Sequence, residues 1–206
     1  DPPVNESVEP NVYGMQHLIE LVKVLNAKLV HVSTSYVAGK KDGRVSEDTP
    51  IEGYFPERHK RPNETFSVAE ELKWYEEFVG ETRQSRATNP KPVRERLREG
   101  GLSRADYWGW TNTYTYTKSM GEQLIAQTPG LAYAIIRPAI VESSLRFPFP
   151  GWNEGFTTSA PLVLMGGGGV KNWPVRKDGP LEIIPVDLVA EGILIVTAAV
   201  LCGKNK

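Results

Sequence analysis

The sequence predicts an α/β fold built on a doubly wound parallel sheet. Apolar residues recur at helical spacing over residues 11–26, and the β-branched run 28–33 follows directly. The same step repeats where a helical pattern over 113–127 leads into the apolar run 131–136. Short apolar runs that alternate with helices are typical of parallel strands buried on both faces. We therefore expect functional loops at the carboxyl ends of these strands.

The first helix and strand set the pattern for the chain. Met15 and Val22 fall on one face of the first helix, and Pro10 stands where a helix can begin. The first strand, 28–33, leads directly into a cluster of hydroxyl residues. Residues 42–62 are rich in Gly, Pro and charge, which predicts a loop.

The middle of the chain predicts one further helix and a polar segment. Residues 65–80 show an apolar face opposite a row of glutamates, which indicates a charged helix. Residues 83–104 are strongly polar, and we expect an exposed, mobile excursion with a short helix over 93–99. The later helix, 113–127, precedes a strand that Arg137-Pro138 would end.

The last third predicts a long loop before a final strand and helix. Beyond Val141 the chain is rich in Pro, Gly and aromatic residues up to the four glycines 166–169. We expect these glycines to form a flexible loop rather than a phosphate-binding turn, because no helix start follows them. A strand over 181–184 and a helix over 187–201 complete a single domain, 1–206.

Composition narrows the classes of partner. The chain has 206 residues, 40% of them apolar, and a formal net charge of -1, so no nucleic-acid partner is expected. The single cysteine, Cys202, and an opening without a secretory signal favour a cytoplasmic location. The longest apolar stretch, 193–202, is shorter than the roughly 20 residues of a membrane span. We expect no integral span, although peripheral membrane contact is allowed, and the spacing of the histidines suggests no metal.

One pair of residues indicates acid–base chemistry. Tyr114 and Lys118 are four residues apart, so a helix places both on one face, about 5–6 Å apart at Cβ. A neighbouring ammonium favours the phenolate and lowers the pKa of a tyrosine towards neutral pH. Such a tyrosine can exchange a proton with a substrate. The alternative for this spacing is a surface pair with no function.

A hydroxyl cluster follows the first strand. Ser33, Thr34 and Ser35 stand at its carboxyl end, where they could hold a carbonyl oxygen and donate to an oxyanion. The alternative is that these hydroxyls cap backbone groups of the turn.

Four motifs resemble the fatty acyl-CoA reductases, which carry the male sterility type of NAD-binding domain in the extended short-chain dehydrogenase/reductase superfamily. STSYVAG at 33–39 is similar to their STAYV signature, and YTYTK at 114–118 to the YTFTK form of their YxxxK motif. IIRPAIV at 135–141, with FPFPGW at 147–152, resembles their RPSIV and PGW stretch. PVDLVA at 185–190 is similar to their PVDxVA helix. The segment 57–104 does not match and is expected to be an insertion.

The resemblance implies the C-terminal part of a Rossmann-like doubly wound sheet and a set of catalytic roles. Tyr114 would be the proton donor, and Lys118 would lower its pKa and bind the nicotinamide ribose. Thr34 would orient the substrate, with Ser33 and Ser35 as near alternatives; Ser33 would also contact the cofactor. Asn11 matches the asparagine of the family's NVxG helix and would hold a proton-relay water. Its alternative role is to cap the helix after Pro10.

The same resemblance implies two binding regions. The cofactor would be NADPH, with NADH as the alternative, and its nicotinamide would lie beside Arg137, Pro138, Ala139, Ile140 and Val141. The substrate would be a fatty acyl-CoA or acyl-carrier-protein thioester. Its acyl chain would bind in the region 142–180, against Ser35, Phe147, Phe149, Gly151 and Trp152. A role in core packing is the alternative for these aromatic residues.

The activity that the resemblance implies is reduction of a fatty acyl-CoA to an aldehyde, an alcohol or both. The glycine-rich cofactor loop would lie before Asp1, within about a hundred further residues at the length of βαβ units. One alternative is a nucleotide-sugar epimerase or dehydratase, which would need a polar pocket where this chain has FPFPGW. The other is a non-catalytic cofactor-binding protein, although such proteins often lose the Tyr or the Lys.

Overall fold

The computed structural model describes residues 1–41, 43–85, 90–155, 160–172, 179 and 181–204. The helices are α1 (Val4–Val8), α2 (Gly14–Val24), α3 (Val68–Ser85), α4 (Pro90–Trp108), α5 (Thr113–Ala126), α6 (Ala160–Gly167) and α7 (Val186–Leu201). The strands are β1 (Leu29–Val32), β2 (Tyr133–Ile136), β3 (Ile140–Glu142) and β4 (Ile183–Pro185). A π turn, Glu9–Tyr13, joins α1 to α2, and short 3₁₀ turns cover Ser35–Ala38 and Arg58–Lys60.

The strands pair in parallel, so the predicted α/β class is confirmed. β1 pairs with β2, with Leu29 opposite Tyr133 and Val32 opposite Ile136. β3 pairs with β4 in the same sense. The pairing continues past both strands, because the Ser33 N–H donates to Ile136 O at 2.7 Å and the Ser35 N–H donates to Pro138 O at 2.9 Å. The segment after β1 is thus aligned with the segment after β2.

The first helix begins earlier than the sequence predicts. It starts at Val4 after Pro3 and passes through Pro10 without ending. A proline lacks the N–H of a regular helical turn, and here the turn is widened, with the Gly14 N–H bonded to Glu9 O. The prediction that Asn11 caps the start of this helix is therefore wrong.

The segment 83–104 is helical over most of its length, so the prediction of a mobile excursion is wrong. α4 buries few side chains, and these are widely spaced: Leu97, Ala105 and Trp108. A helix with one narrow apolar stripe and many charges has the composition of an exposed segment, which explains the error. Arg94 of this segment pairs with Glu6 on α1.

Two glycines in α4 allow close helix packing. A Cβ on Gly100 would lie 2.1 Å from the Phe78 ring of α3, and one on Gly101 would lie 2.7 Å from Val4 Cβ of α1. Neither distance is compatible with a side chain. Glycine lowers helix propensity, but here it lets α4 approach both neighbours.

The helical core lies where α1, α3, α4 and α5 meet the loop that carries Phe55 and Phe66. Its fully buried members include Val4, Val8, Val12, Phe55, Phe66, Ala105, Trp110, Tyr116 and Met120. A second cluster joins α2, β1 and α5 through Met15, Ile19, Val22, Leu29 and Ile125. Both clusters contact α5, which is therefore held on several sides.

The sequence predicts a long loop beyond Val141, but the region 142–180 is not one continuous loop. Part of it, residues 156–159, 173–178 and 180, lies outside the described residues. Within the rest, α6 includes the first two of the four glycines, and the run before them contains Leu164 and Met165, which favour a helix. Gly168 and Gly169 lie beyond the helix, and Gly169 has a φ of +96°.

The final strand and helix agree with the prediction to within two residues, as β4 and α7. Among the helices of the described residues, none is long and apolar enough to cross a membrane.

Candidate active site

A capped helix positions the Tyr–Lys pair. Asn112 has extended backbone, and its Oδ1 accepts the Thr115 N–H at 2.8 Å, which starts α5 one residue before Tyr114. Tyr114 and Lys118 then lie one turn apart on the same face. Tyr114 is 45% exposed, whereas its neighbours Thr113 and Thr115 are buried. The phenol is thus accessible on an otherwise buried stretch of helix.

Lys118 is fixed at the carboxyl end of β1. Its Nζ donates to Val32 O at 2.9 Å. Burial lowers the pKa of Lys118, and Glu122 in the next turn opposes that shift. The ammonium therefore lies beside the hydroxyl segment, as the motif predicts.

Burial raises the pKa of the Tyr114 phenol above its ordinary value. The structure does not reproduce the lowering that the Tyr–Lys spacing predicts, because Lys118 directs its ammonium at the Val32 carbonyl. Tyr114 is a protonated phenol at neutral pH in this arrangement. A phenol in this state has a proton that it can donate.

The three hydroxyls differ in their partners. Thr34 Oγ1 accepts the Tyr36 N–H at 3.3 Å and caps the turn Ser35–Ala38, so the capping alternative describes Thr34. As an acceptor, this hydroxyl keeps its own proton to donate. Ser33 Oγ and Ser35 Oγ are buried, and neither has a hydrogen-bond partner among the described residues.

Asn11 is tied to α5 one turn from Tyr114. Its Nδ2 donates to Thr117 Oγ1 at 2.9 Å. The backbone carbonyl oxygen of Asn11 lies against Gly121, where an added Cβ would be only 2.7 Å from that oxygen. Asn11 sits in the π turn, and such turns often occur at functional sites. Asn11 is thus bonded to the residue before Lys118, and its role in holding a water stays a prediction.

The segment after β2 lies beside the hydroxyls. Pro138 O accepts the Ser35 N–H at 2.9 Å, and Ile140 and Val141 continue into β3. Arg137 instead forms a two-pronged pair with Glu122, with Nε 2.9 Å from Oε1. Its guanidinium is thus already engaged by α5.

The FPFPGW stretch forms a closed loop fixed through its backbone. Asp187 at the start of α7 accepts three consecutive N–H groups, from Leu145 at 2.9 Å, Arg146 at 2.8 Å and Phe147 at 3.2 Å. These bonds, led by that from Leu145, hold the pKa of Asp187 at about 2. At the base of the loop, the Ser144 N–H donates to Trp152 O.

The aromatic side chains of this loop are largely free of the core. Phe147 is 75% exposed and Phe149 is 59% exposed, so the core-packing alternative does not describe them. Trp152 is partly buried and lines a cavity of about 250 Å³ with Val141 and Val186. Gly151 has a φ of +84°, which turns the chain before Trp152. The loop is anchored to α7 and not to α5.

A comparison with protein families covers most of the chain. The model of the male sterility protein family, an NAD-binding domain, matches residues 1–193. The chain belongs to this family. The resemblance read from the four motifs is therefore confirmed.

Relatives and a solved structure extend the comparison of this male sterility family member. Probable fatty acyl-CoA reductase 4 of Arabidopsis thaliana is 33% identical over 94% of this chain and 39% of its own length. The alcohol-forming fatty acyl-CoA reductase of Simmondsia chinensis is 32% identical over 92% of this chain and 38% of its own. This chain therefore spans about two fifths of those relatives. The terminal R domain of the myxalamid PKS-NRPS pathway shares the fold, with a TM-score of 0.55 and 19% identity over 93% of this chain and 35% of its own.

A histidine on β1 has a buried ring nitrogen, which the motifs do not predict. His31 on β1 has its Nε2 buried, without a partner in the part of the chain that the structure describes. Burial, with a smaller effect of Lys118, lowers its pKa to about 4. Only its place two residues before Ser33 could have pointed to it.

Proposed function

We propose that this chain forms the reductive part of an enzyme that reduces a fatty acyl-CoA thioester to the aldehyde, the alcohol or both. NADPH is the proposed cofactor, with NADH as the alternative. The observation that carries the proposal is the Tyr114–Lys118 face of α5, with Lys118 bonded to the end of β1 beside residues 33–35. The fatty acyl-CoA reductases among the relatives support the choice of substrate.

The residues at this edge fit a nicotinamide cofactor. An ammonium has three N–H donors, and Lys118 uses one on Val32 O, which leaves two for ribose hydroxyls. Ser33 offers a buried hydroxyl with no partner among the described residues. The backbone of 137–141 would flank the nicotinamide. When bound, the cofactor supplies the hydride that adds to the thioester carbonyl carbon.

The chain's own groups would handle the carbonyl oxygen. The Thr34 hydroxyl, whose oxygen already accepts the Tyr36 N–H, would donate a hydrogen bond to that oxygen and stabilise the negative charge that develops there. The carbon–sulfur bond then breaks, and the thiolate leaves as CoA to give the aldehyde. In a second reduction, Tyr114 would donate its phenol proton to the aldehyde oxygen and give the alcohol.

The loop 144–152 would receive the acyl chain. Phe147 and Phe149 present apolar surface to solvent on a backbone that Asp187 holds in place. A sugar nucleotide would instead need polar groups at this position, which disfavours the epimerase alternative. The presence of both Tyr114 and Lys118, one turn apart on α5, disfavours the non-catalytic alternative.

Several features of the proposal concern the whole protein. The donor is proposed to be acyl-CoA, with an acyl-carrier-protein thioester as the alternative. A cytoplasmic location and peripheral membrane contact stay predictions, and one relative is described as chloroplastic.

The test uses the full-length protein that contains this chain. Purified protein is incubated with NADPH and palmitoyl-CoA, and NADPH consumption, free CoA thiol and lipid products are measured. A parallel reaction contains UDP-glucose in place of palmitoyl-CoA. We expect aldehyde or alcohol with release of thiol, and no change in the sugar nucleotide. Conversion of UDP-glucose without acyl reduction would overturn the proposal.

A further inference from the structure

A buried polar cluster links α5 to the two helices of segment 57–104. The Tyr116 phenol donates to Glu71 Oε2 at 2.5 Å. Arg104 binds the same carboxylate twice, through Nε at 2.8 Å and Nη2 at 2.6 Å. Glu71 and Tyr116 are each 1% exposed. We refer to these three residues as the Glu71 cluster.

The surroundings of the Glu71 cluster are aromatic. The Arg104 guanidinium lies 5.2 Å from the Trp74 ring and 5.5 Å from the Trp108 ring. Burial and the Glu71 charge raise the pKa of Tyr116 well above its ordinary value, so this phenol stays a hydrogen-bond donor. The three residues therefore provide hydrogen-bond partners for one another in a buried position.

The main consequence of such a cluster is geometric. A buried ion pair adds little stability over well-packed apolar residues of the same volume, because desolvation offsets the attraction. Its hydrogen bonds are directional, however, and allow only one relative placement of the groups. Here they join α3, α4 and α5 at a single point.

That point lies next to the reactive face. Tyr116 falls between Tyr114 and Lys118 in sequence, and two residues along a helix is a rotation of about 200°. The bond from Tyr116 to Glu71 therefore fixes the back of the same turn whose front carries Tyr114 and Lys118. A rotation or slide of α5 would break this bond and move both reactive groups.

The phenol is also a departure from the motif that the sequence resembles. YTFTK has Phe where this chain has Tyr116. The bond to Glu71 uses the hydroxyl that a Phe at this position lacks, and Glu71 lies in the segment 57–104 that we expect to be an insertion.

We propose that Glu71, Arg104 and Tyr116 are positioning residues that set the rotation and depth of α5, and through it the placement of Tyr114 and Lys118. Segment 57–104 is then the support of the reactive helix. The role in catalysis rests on the proposed function, whereas the link between the helices does not.

The decisive variant is Tyr116→Phe in the full-length protein, with Tyr13→Phe as the matched control. Tyr13 also donates its phenol to a glutamate of α3, Glu76, at 2.8 Å, but that pair is exposed. We expect Tyr116→Phe to lower kcat about 10-fold, because small displacements of reacting groups are costly. The KM for acyl-CoA should stay unchanged, and the pH profile of kcat should shift. Tyr13→Phe should alter none of these.

A second variant, Glu71→Gln, tests the coupling. The effects of Glu71→Gln and Tyr116→Phe on kcat should be strongly non-additive in the double variant, since both substitutions act on the same hydrogen bond between Tyr116 and Glu71. Wild-type kcat and pH profile in Tyr116→Phe, even with a lower melting temperature, would overturn the positioning role. If Glu71→Gln fails to fold, Tyr116→Phe alone decides.

Amide hydrogen exchange separates this proposal from the proposed function. Exchange over residues 113–118 should accelerate in Tyr116→Phe and not in Tyr13→Phe, whatever substrate the enzyme uses. Unchanged exchange would refute the link between helices. If the wild type reduces no acyl-CoA, the proposed function fails while the exchange result still stands.

Discussion

The Tyr114–Lys118 face of α5 and the loop 144–152 are held in place differently, the first through a side chain and the second through its backbone. On α5 the Lys118 side chain itself is fixed, since its Nζ donates to Val32 O. In the loop only the backbone is fixed, by Asp187, while the Phe147 and Phe149 rings stay exposed. Chemistry needs fixed atoms, whereas binding of an apolar chain tolerates adaptable rings. Changes on α5 should therefore lower kcat, and changes in the loop should raise KM.

The largest effect is expected for Lys118→Met. The variant removes the charge that would bind the ribose and the hydrogen bond to the end of β1. The value of kcat/KM should fall at least about 100-fold, the lower range for loss of an acid–base component. Lys23→Met, an exposed site on α2, is the control in the same steady-state assay. Wild-type kinetics in Lys118→Met would show that Lys118 takes no part in the reaction and would contradict the contrast between α5 and the loop.

A loop variant with intact chemistry is Asp187→Asn. An amide offers one acceptor oxygen and would place its NH₂ group near backbone donors, so the three bonds cannot all form. The KM for a sixteen-carbon acyl-CoA should rise about 10-fold, with kcat within about twofold. Glu191→Gln, an exposed site on α7, should change neither. A fall in kcat with unchanged KM would show that Asp187 acts on the chemical step and not on binding of the acyl chain.

Trp152→Ala should have a smaller effect of the same kind. An aromatic side chain can bury about 150–250 Å², and a partly shared contact contributes about 1 kcal/mol. The KM for a sixteen-carbon substrate should rise about fivefold, while that for a two-carbon thioester should stay the same. Equal losses on both substrates, with unchanged circular dichroism, would rule out contact with the acyl chain.

The last variant concerns folding stability rather than activity, and it changes His31. Its pKa is about 4 in the folded chain and 6.5 ordinarily, so the unfolded chain binds more protons between these values. The stabilising contribution is complete above pH 6.5 and is lost as the pH falls towards 4, by of the order of 1 kcal/mol per pH unit. His31→Gln should flatten the difference in unfolding free energy between pH 7 and pH 5. An unchanged pH dependence in urea denaturation would contradict this assignment.

The sequence indicates the layout of the proposed site at the carboxyl end of β1 because that layout depends on local rules. A strand followed by hydroxyls, and a Tyr and a Lys one helical turn apart, are visible without tertiary structure. The closeness of Lys118 to Val32 follows from the parallel arrangement. The position of Asp187 is also visible in PVDLVA, although its three backbone partners are not.

The missed features depend on contacts between distant residues. Gly100 and Gly101 read as helix breakers until Phe78 and Val4 are seen against them. Glu71 lies 45 residues from Tyr116, and no local pattern joins them. Pro10 reads as a helix start because proline within a helix is tolerated only where the turn widens.

The most direct test of the central claim compares Tyr114→Phe with Tyr107→Phe in single-turnover reduction of a fatty aldehyde by the full-length protein. Tyr107 is an exposed phenol on α4 bonded to Glu64, so its loss controls for removal of a tyrosine hydroxyl. We expect the rate of Tyr114→Phe to fall about 10²–10⁴-fold, with cofactor affinity retained, because only the donated proton is lost. Tyr107→Phe should react like the wild type. A Tyr114→Phe enzyme that keeps more than about a tenth of the wild-type rate would show that this phenol is not the proton donor.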